Sequence, residues 1–189
     1  MSLDQFNFLL LIMAITGLVV FVCLYFVEAG YGKMISDKWG PAINNKVAWV
    51  IMECPVFFVM LYLWAMSERT FEVAPLAMFL IFQTHYFQRS FIFPCILKGK
   101  SKMPIAIMMM GFIFNMVNGA IQGYWIFYLS PAEMYTPDWL TTPQFIIGTC
   151  IFFIGFIINL HSDHVIRHLR KPGDTKHYLP KKGVYKLVT

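Results

Sequence analysis

Five stretches of about twenty predominantly apolar residues constrain this chain more than any other feature, because a run of that length crosses the hydrocarbon core as a helix. They fall at Phe6–Val27, Val47–Met66, Val73–Phe93, Met103–Leu129 and Pro143–Leu160. With 58% hydrophobic and only 13% charged residues, the chain lies outside the range of soluble globular domains. The expected fold is an all-α polytopic membrane bundle of five spans, forming one membrane domain over residues 1–189. The first run has only Asp4 before it, lacks a basic leader and has no small-residue cleavage site after it, so it reads as a span rather than a removed signal peptide.

The basic residues set an orientation. Lys33, Lys38 and Lys46 lie in the first loop, Lys98, Lys100 and Lys102 in the third, and seven more Lys and Arg follow the fifth run. The opposite side holds only Arg69. An excess of Lys and Arg marks the cytoplasmic face, which puts the C-terminal tail in the cytosol and the N-terminus outside or in a lumen. The net charge of +5 is this asymmetry and needs no nucleic acid. Cys23, Cys54, Cys95 and Cys150 are scattered, fitting small apolar residues rather than a metal site or a disulfide framework.

Ionisable and amide groups at membrane depth are functional candidates. Glu53 sits just inside the second run, beside Pro55, as a possible hydrogen-bond and proton donor. The third run ends in Gln83-Thr84-His85-Tyr86-Phe87-Gln88-Arg89. There the Tyr86 hydroxyl is suited to polarising a carbonyl and Arg89 to meeting phosphate, or the pair is an interfacial tyrosine with a snorkelling arginine. In the fourth run Asn115, Asn118 and Gln122 share a face, either lining a polar cavity or, as we favour, joining helices.

The fifth run leads into Asn159-Leu160-His161-Ser162-Asp163-His164-Val165-Ile166-Arg167-His168-Leu169-Arg170-Lys171-Pro172-Gly173. As a continuing helix it would align Asn159, Asp163, Ile166 and Arg170 along one side. An amide, a carboxylate and an arginine fork suit a ligand bearing hydroxyls and phosphates, such as a dinucleotide. The alternative is a basic juxtamembrane segment on anionic lipid, with Asp163 pairing to Arg167. His161, His164 and His168 share a face, but a metal centre is not expected: di-iron membrane enzymes need several histidine boxes, and this chain has five His in all.

This last stretch, followed by Tyr178-Leu179-Pro180-Lys181-Lys182-Gly183-Val184-Tyr185, resembles the membrane-bound steroid 5α-reductase family, whose pattern is close to N-I-H-S-D-x-I-L-R-x-L-R-K-P-G-[DE] and then I-P-x-G-G-L-F. Gly30-Tyr31-Gly32-Lys33, Ala48 to Pro55, His85 to Arg89 and Asn118 to Tyr124 resemble its G-Y-G-K, A-W-x-x-Q-E-x-P, H-Y-x-x-R and N-G-x-x-Q-G-Y segments. The resemblance implies NADPH-dependent reduction of the Δ4 double bond of 3-oxo-steroids. Glu53 and Tyr86 would hold the 3-keto oxygen while hydride reaches C5. Asn159, Asp163 and Arg170, aided by Tyr31, Arg89 and Lys100, would bind NADPH. The partners implied are an apolar steroid or other enone entering from the bilayer, and membrane lipid, in the endoplasmic reticulum of a eukaryote or the inner membrane of a bacterium.

Departures accompany it. Met52 stands where the family usually has Gln, Phe93 where Tyr is common, and Lys182-Gly183 where Gly-Gly follows Ile-Pro. The family continues past the equivalent of Thr189 with a cofactor segment and two more spans, seven in all, so the resemblance implies a chain truncated at its C-terminus. The readings kept beside the steroid reductase are a related enone or enoyl-lipid reductase and an inactive lipid-binding membrane protein.

Overall fold

Helix α1 (Leu3–Cys23) begins at a reciprocal cap, in which the Gln5 amide donates to Ser2 Oγ at 3.2 Å and the Ser2 amide to Gln5 Oε1 at 2.8 Å. Most of its leucines, isoleucines and valines are exposed, and only Phe6 is buried, stacked on Trp125 at 5.6 Å. An apolar exterior around buried Gln83, Gln88, Ser90 and Asn115 inverts the pattern of a water-soluble protein and suits a bilayer as solvent. The computed structural model describes residues 1–27, 30, 35–99, 101–170 and 178–187. The chain divides into two compact units, Met1–Pro137 and Asp138–Thr189.

In the first unit, α2 (Asn45–Ala65) and α5 (Ile105–Tyr124) form the central pair. Strands β1 (Ala42–Asn44) and β2 (Lys102–Pro104) pair antiparallel, Ile43 opposite Met103, immediately before the two helices. Their N-termini are thereby tied together, which places the first and third loops on one side, as the sequence predicts. Glycines permit close approach: a Cβ on Gly119 would stand 3.1 Å from the Val56 carbonyl oxygen.

Helix α3 (Val73–Phe87) does not run on regularly through Phe93, as expected. It passes through a π turn at Gln88–Ile92 into the short α4 (Phe93–Ile96), where the Phe93 amide bonds to Gln88 O. Pro94 supplies a reason, since it has no N–H for the carbonyl four residues back and its ring would crowd it. The continuous helical stretch 73–96 is still long enough, at about 1.5 Å per residue, to cross the hydrocarbon core. Among the described residues, four helices are long and apolar enough to cross a membrane, and the interrupted stretch 73–96 adds a fifth helical segment of sufficient length.

A second π turn, Trp125–Leu129, ends α5, with the Ser130 amide on Trp125 O at 2.9 Å. Side chains from the loop between α2 and α3 take up the carbonyls there. Arg69 Nη1 donates to Ile126 O at 3.0 Å and to Ser130 Oγ at 2.8 Å, and Ser67 Oγ donates to Phe127 O at 3.2 Å.

In the second unit α6 (Pro143–Arg167) starts at Thr142, whose hydroxyl accepts from the Phe145 amide at 3.3 Å. It stops at Arg167, with His168 as its cap and the His168 ring Nδ1 2.8 Å from His164 O. Arg170 therefore lies beyond the helix and not on a common stripe with Asn159 and Asp163, which corrects the expected register.

Candidate active site

Glu53 lies on the α2 face turned to α5, half-buried, with Pro55 two residues on. Pro55 leaves the Ile51 carbonyl without its helical donor, and the Cys54 thiol approaches it at 3.8 Å. Next to this irregular turn the buried Asn115 of α5 donates through Nδ2 to Met52 O at 2.8 Å and to Glu53 Oε2 at 3.2 Å. One amide thus holds both the α2 backbone and the carboxyl.

Tyr86 comes from the last turn of α3. One helical turn after Asn115, Asn118 Nδ2 donates to the Tyr86 hydroxyl oxygen at 3.0 Å, while the rings of Phe82 and His85 pack against the tyrosine at 4.6 and 5.0 Å. Gln83, one turn earlier on α3, donates to Phe57 O at 3.2 Å and fastens α3 to α2. Glu53 and Tyr86 are thus each bonded by an asparagine of α5, the two amides standing three residues apart.

Arg89, in the π turn, lies over Trp49 and Phe93, with its guanidinium carbon 4.4 and 4.2 Å from the two ring centroids, and within electrostatic reach of Glu53. An apolar cavity of about 660 Å³ lies between α1, α2 and α5. Its lining includes Met13, Trp49, Met52, Gly111 and Phe114, so two near neighbours of Glu53 on α2 form part of its wall.

The second unit holds the other expected ligand residues. Asn159 Oδ1 is buried without a hydrogen-bond partner, as is Arg167 Nε, whereas Asp163 is half-buried and Arg170 exposed. The end of α6 and residues 178–187 enclose a concavity of about 910 Å³ lined by His161, His164, His168, Tyr178, Lys181 and Lys182 among others. Among the described residues, no group of three or more His, Cys, Asp or Glu could hold a metal ion. Tyr31 and Lys100, also expected near the cofactor, lie outside the described residues.

Asn115 and Asn118, read in the sequence as a polar face that joins helices, do join them, and the partners they meet are Met52 and Glu53 of α2 and Tyr86 of α3. The signal was their spacing of three residues, which aims both amides from one helix face, although no pattern in the sequence says which side chains they meet.

Comparisons with known proteins agree with the motifs. Residues 101–189 match the family described as 3-oxo-5-alpha-steroid 4-dehydrogenase. Over 177 residues, 92% of this chain and 68% of the relative, the sequence is 34% identical to 3-oxo-5-alpha-steroid 4-dehydrogenase 1 of Bos taurus. It is 37% identical to the Homo sapiens protein of the same name over 164 residues, 84% of this chain and 61% of that one. It is 30% identical to steroid 5-alpha-reductase DET2 of Gossypium hirsutum over 195 residues, covering 100% of this chain and 75% of the relative. The matches thus reach across most of this chain but only about three-fifths to three-quarters of each relative. The chain belongs to the steroid 5α-reductase, or 3-oxo-5-alpha-steroid 4-dehydrogenase, family.

Proposed function

We propose that this protein takes part in the NADPH-dependent reduction of the Δ4 double bond of a 3-oxo-steroid drawn from the bilayer. The observation that carries the reading is the pair Glu53 and Tyr86, a carboxyl and a phenol each held by an amide from one face of α5. Saturating an enone requires hydride at the β-carbon, which is C5, and negative charge then accumulates on the 3-keto oxygen. Donors aimed at that oxygen lower the barrier, and they act strongly where water is excluded. Tyr86 and protonated Glu53 are such donors, and the apolar cavity wall suits a steroid skeleton.

The cofactor supplies the hydride when bound. Residues of the second unit fit it by chemistry: the orphaned Asn159 oxygen is free to accept from an amide or hydroxyl, and Lys181 and Lys182 line a concavity suited to phosphate. Asn159, Asp163 and Arg170 would hold it. The distribution of Lys and Arg supports a cytosolic tail, on the side where NADPH is available.

The test is steroid-dependent NADPH oxidation by the protein in nanodiscs. Glu53→Gln is expected to abolish turnover and leave NADPH binding intact. Full turnover by that variant would refute the assignment of the acid.

A further inference from the structure

We infer that Asn115 and Asn118 are positioning residues that fix which way the Glu53 and Tyr86 hydrogens point, an inference that rests on the reading of those two as the carbonyl-holding pair. Met52 O can only accept, so the Asn115 amide must turn its nitrogen towards α2, and its second N–H is then the one that reaches Glu53 Oε2. With Oε2 occupied as an acceptor, a proton on the carboxyl resides on Oε1.

Asn118 does the same for the phenol. By donating to the Tyr86 oxygen it uses a lone pair and leaves the hydroxyl hydrogen for another acceptor. Both amides stand on one face of α5, a turn apart, and α5 is itself seated on α2 through the close approach of Gly119 to Val56. A single rigid element thus sets both donors and their separation. Neither asparagine needs to touch the substrate for this.

The experiment uses the protein in nanodiscs with a 3-oxo-Δ4-steroid and NADPH. Asn118→Leu, which keeps the volume and removes the donor, is expected to lower kcat about 10- to 100-fold with KM little changed, in the range found for a misaligned catalytic group. Asn118→Asp keeps the shape but presents an acceptor that captures the phenol hydrogen, and should slow turnover similarly. In a Tyr86→Phe background Asn118→Leu should add almost nothing, because a residue acting through Tyr86 has nothing left to position.

A second readout does not depend on turnover. With tyrosine labelled at Cζ, the Tyr86 resonance, assigned by its loss in Tyr86→Phe, should shift in Asn118→Leu. Normal turnover by Asn118→Asp, or an equal further loss in the Tyr86→Phe background, would overturn the inference alone. Full turnover by Tyr86→Phe itself would overturn both this inference and the underlying assignment, even with the resonance shift intact.

Discussion

Gly119→Ala tests the geometry on which the site depends. A Cβ added there would lie 3.1 Å from Val56 O, 3.2 Å from Val56 Cα and 3.3 Å from Val56 Cγ2. Two of these are backbone atoms of α2 and cannot swing aside, so the helices must part by a few tenths of an ångström. Alanine gains about 0.5–1 kcal/mol over glycine within a helix, whereas overpacking a close contact costs about 1–3 kcal/mol. The balance is a net destabilisation of up to about 2.5 kcal/mol. For a chain of this size, thermal unfolding in nanodiscs should shift down by up to about 10 °C, at roughly 2–4 °C per kcal/mol. Gly17→Ala is the control, since nothing lies within 4 Å of a Cβ there and the helical gain should stand alone. Turnover by Gly119→Ala should fall as well, because α5 carries Asn115 and Asn118. An unfolding temperature for Gly119→Ala at or above that of Gly17→Ala would refute the argument that α2 and α5 meet through this glycine.

Arg69→Met should destabilise the first unit by about 2–4 kcal/mol, since it leaves Ile126 O and Ser130 without charged donors in a largely buried place; unfolding within half a degree of wild type would contradict this. Arg170→Ala is expected to weaken NADPH binding about tenfold, the loss of one charge-assisted contact, measured by fluorescence titration of the nicotinamide. An unchanged Kd would remove Arg170 from the cofactor site. Gly111→Ala should barely alter stability, because its methyl would meet the flexible Met52 thioether. It should instead raise KM for a steroid by pushing that side chain into the cavity, and an unaltered KM would exclude the cavity as the steroid's place.

The apolar runs were legible because hydropathy over twenty residues is a strong signal in any context. Each predicted boundary lies within a few residues of a helix end, except at the fifth run, where the helix extends beyond Leu160 to Arg167. The π turns were not legible, since the residues of Gln88–Ile92 and Trp125–Leu129 are as compatible with α-helix, and the departure depends on Pro94 in one case and on Arg69 and Ser67 across the loop in the other. The β1 and β2 strands, three residues each, are too short to show an alternation. The stripe through Arg170 failed because helical periodicity was carried past Arg167, where the helix ends. Glu53 and Tyr86 could be singled out as costly polar groups at membrane depth, but their shared support on α5 is tertiary and no single helix records it.

That support follows a rule that the bilayer imposes. Irregular backbone at membrane depth must be satisfied by protein, since no water competes for it. Here the donors are side chains from neighbouring segments: Asn115 to Met52 O, Gln83 to Phe57 O, Tyr128 to Leu63 O and Arg69 to Ile126 O. Three of the four acceptors are on α2, so that helix is held through its main chain by α3 and by the α5 stretch. Helix positions fixed in this way do not consume the hydroxyl hydrogen of Tyr86 or the second oxygen of Glu53. The polar contacts between the helices and the state of the proposed pair, Glu53 and Tyr86, therefore share one arrangement, and substitutions that break the former should be felt in the latter.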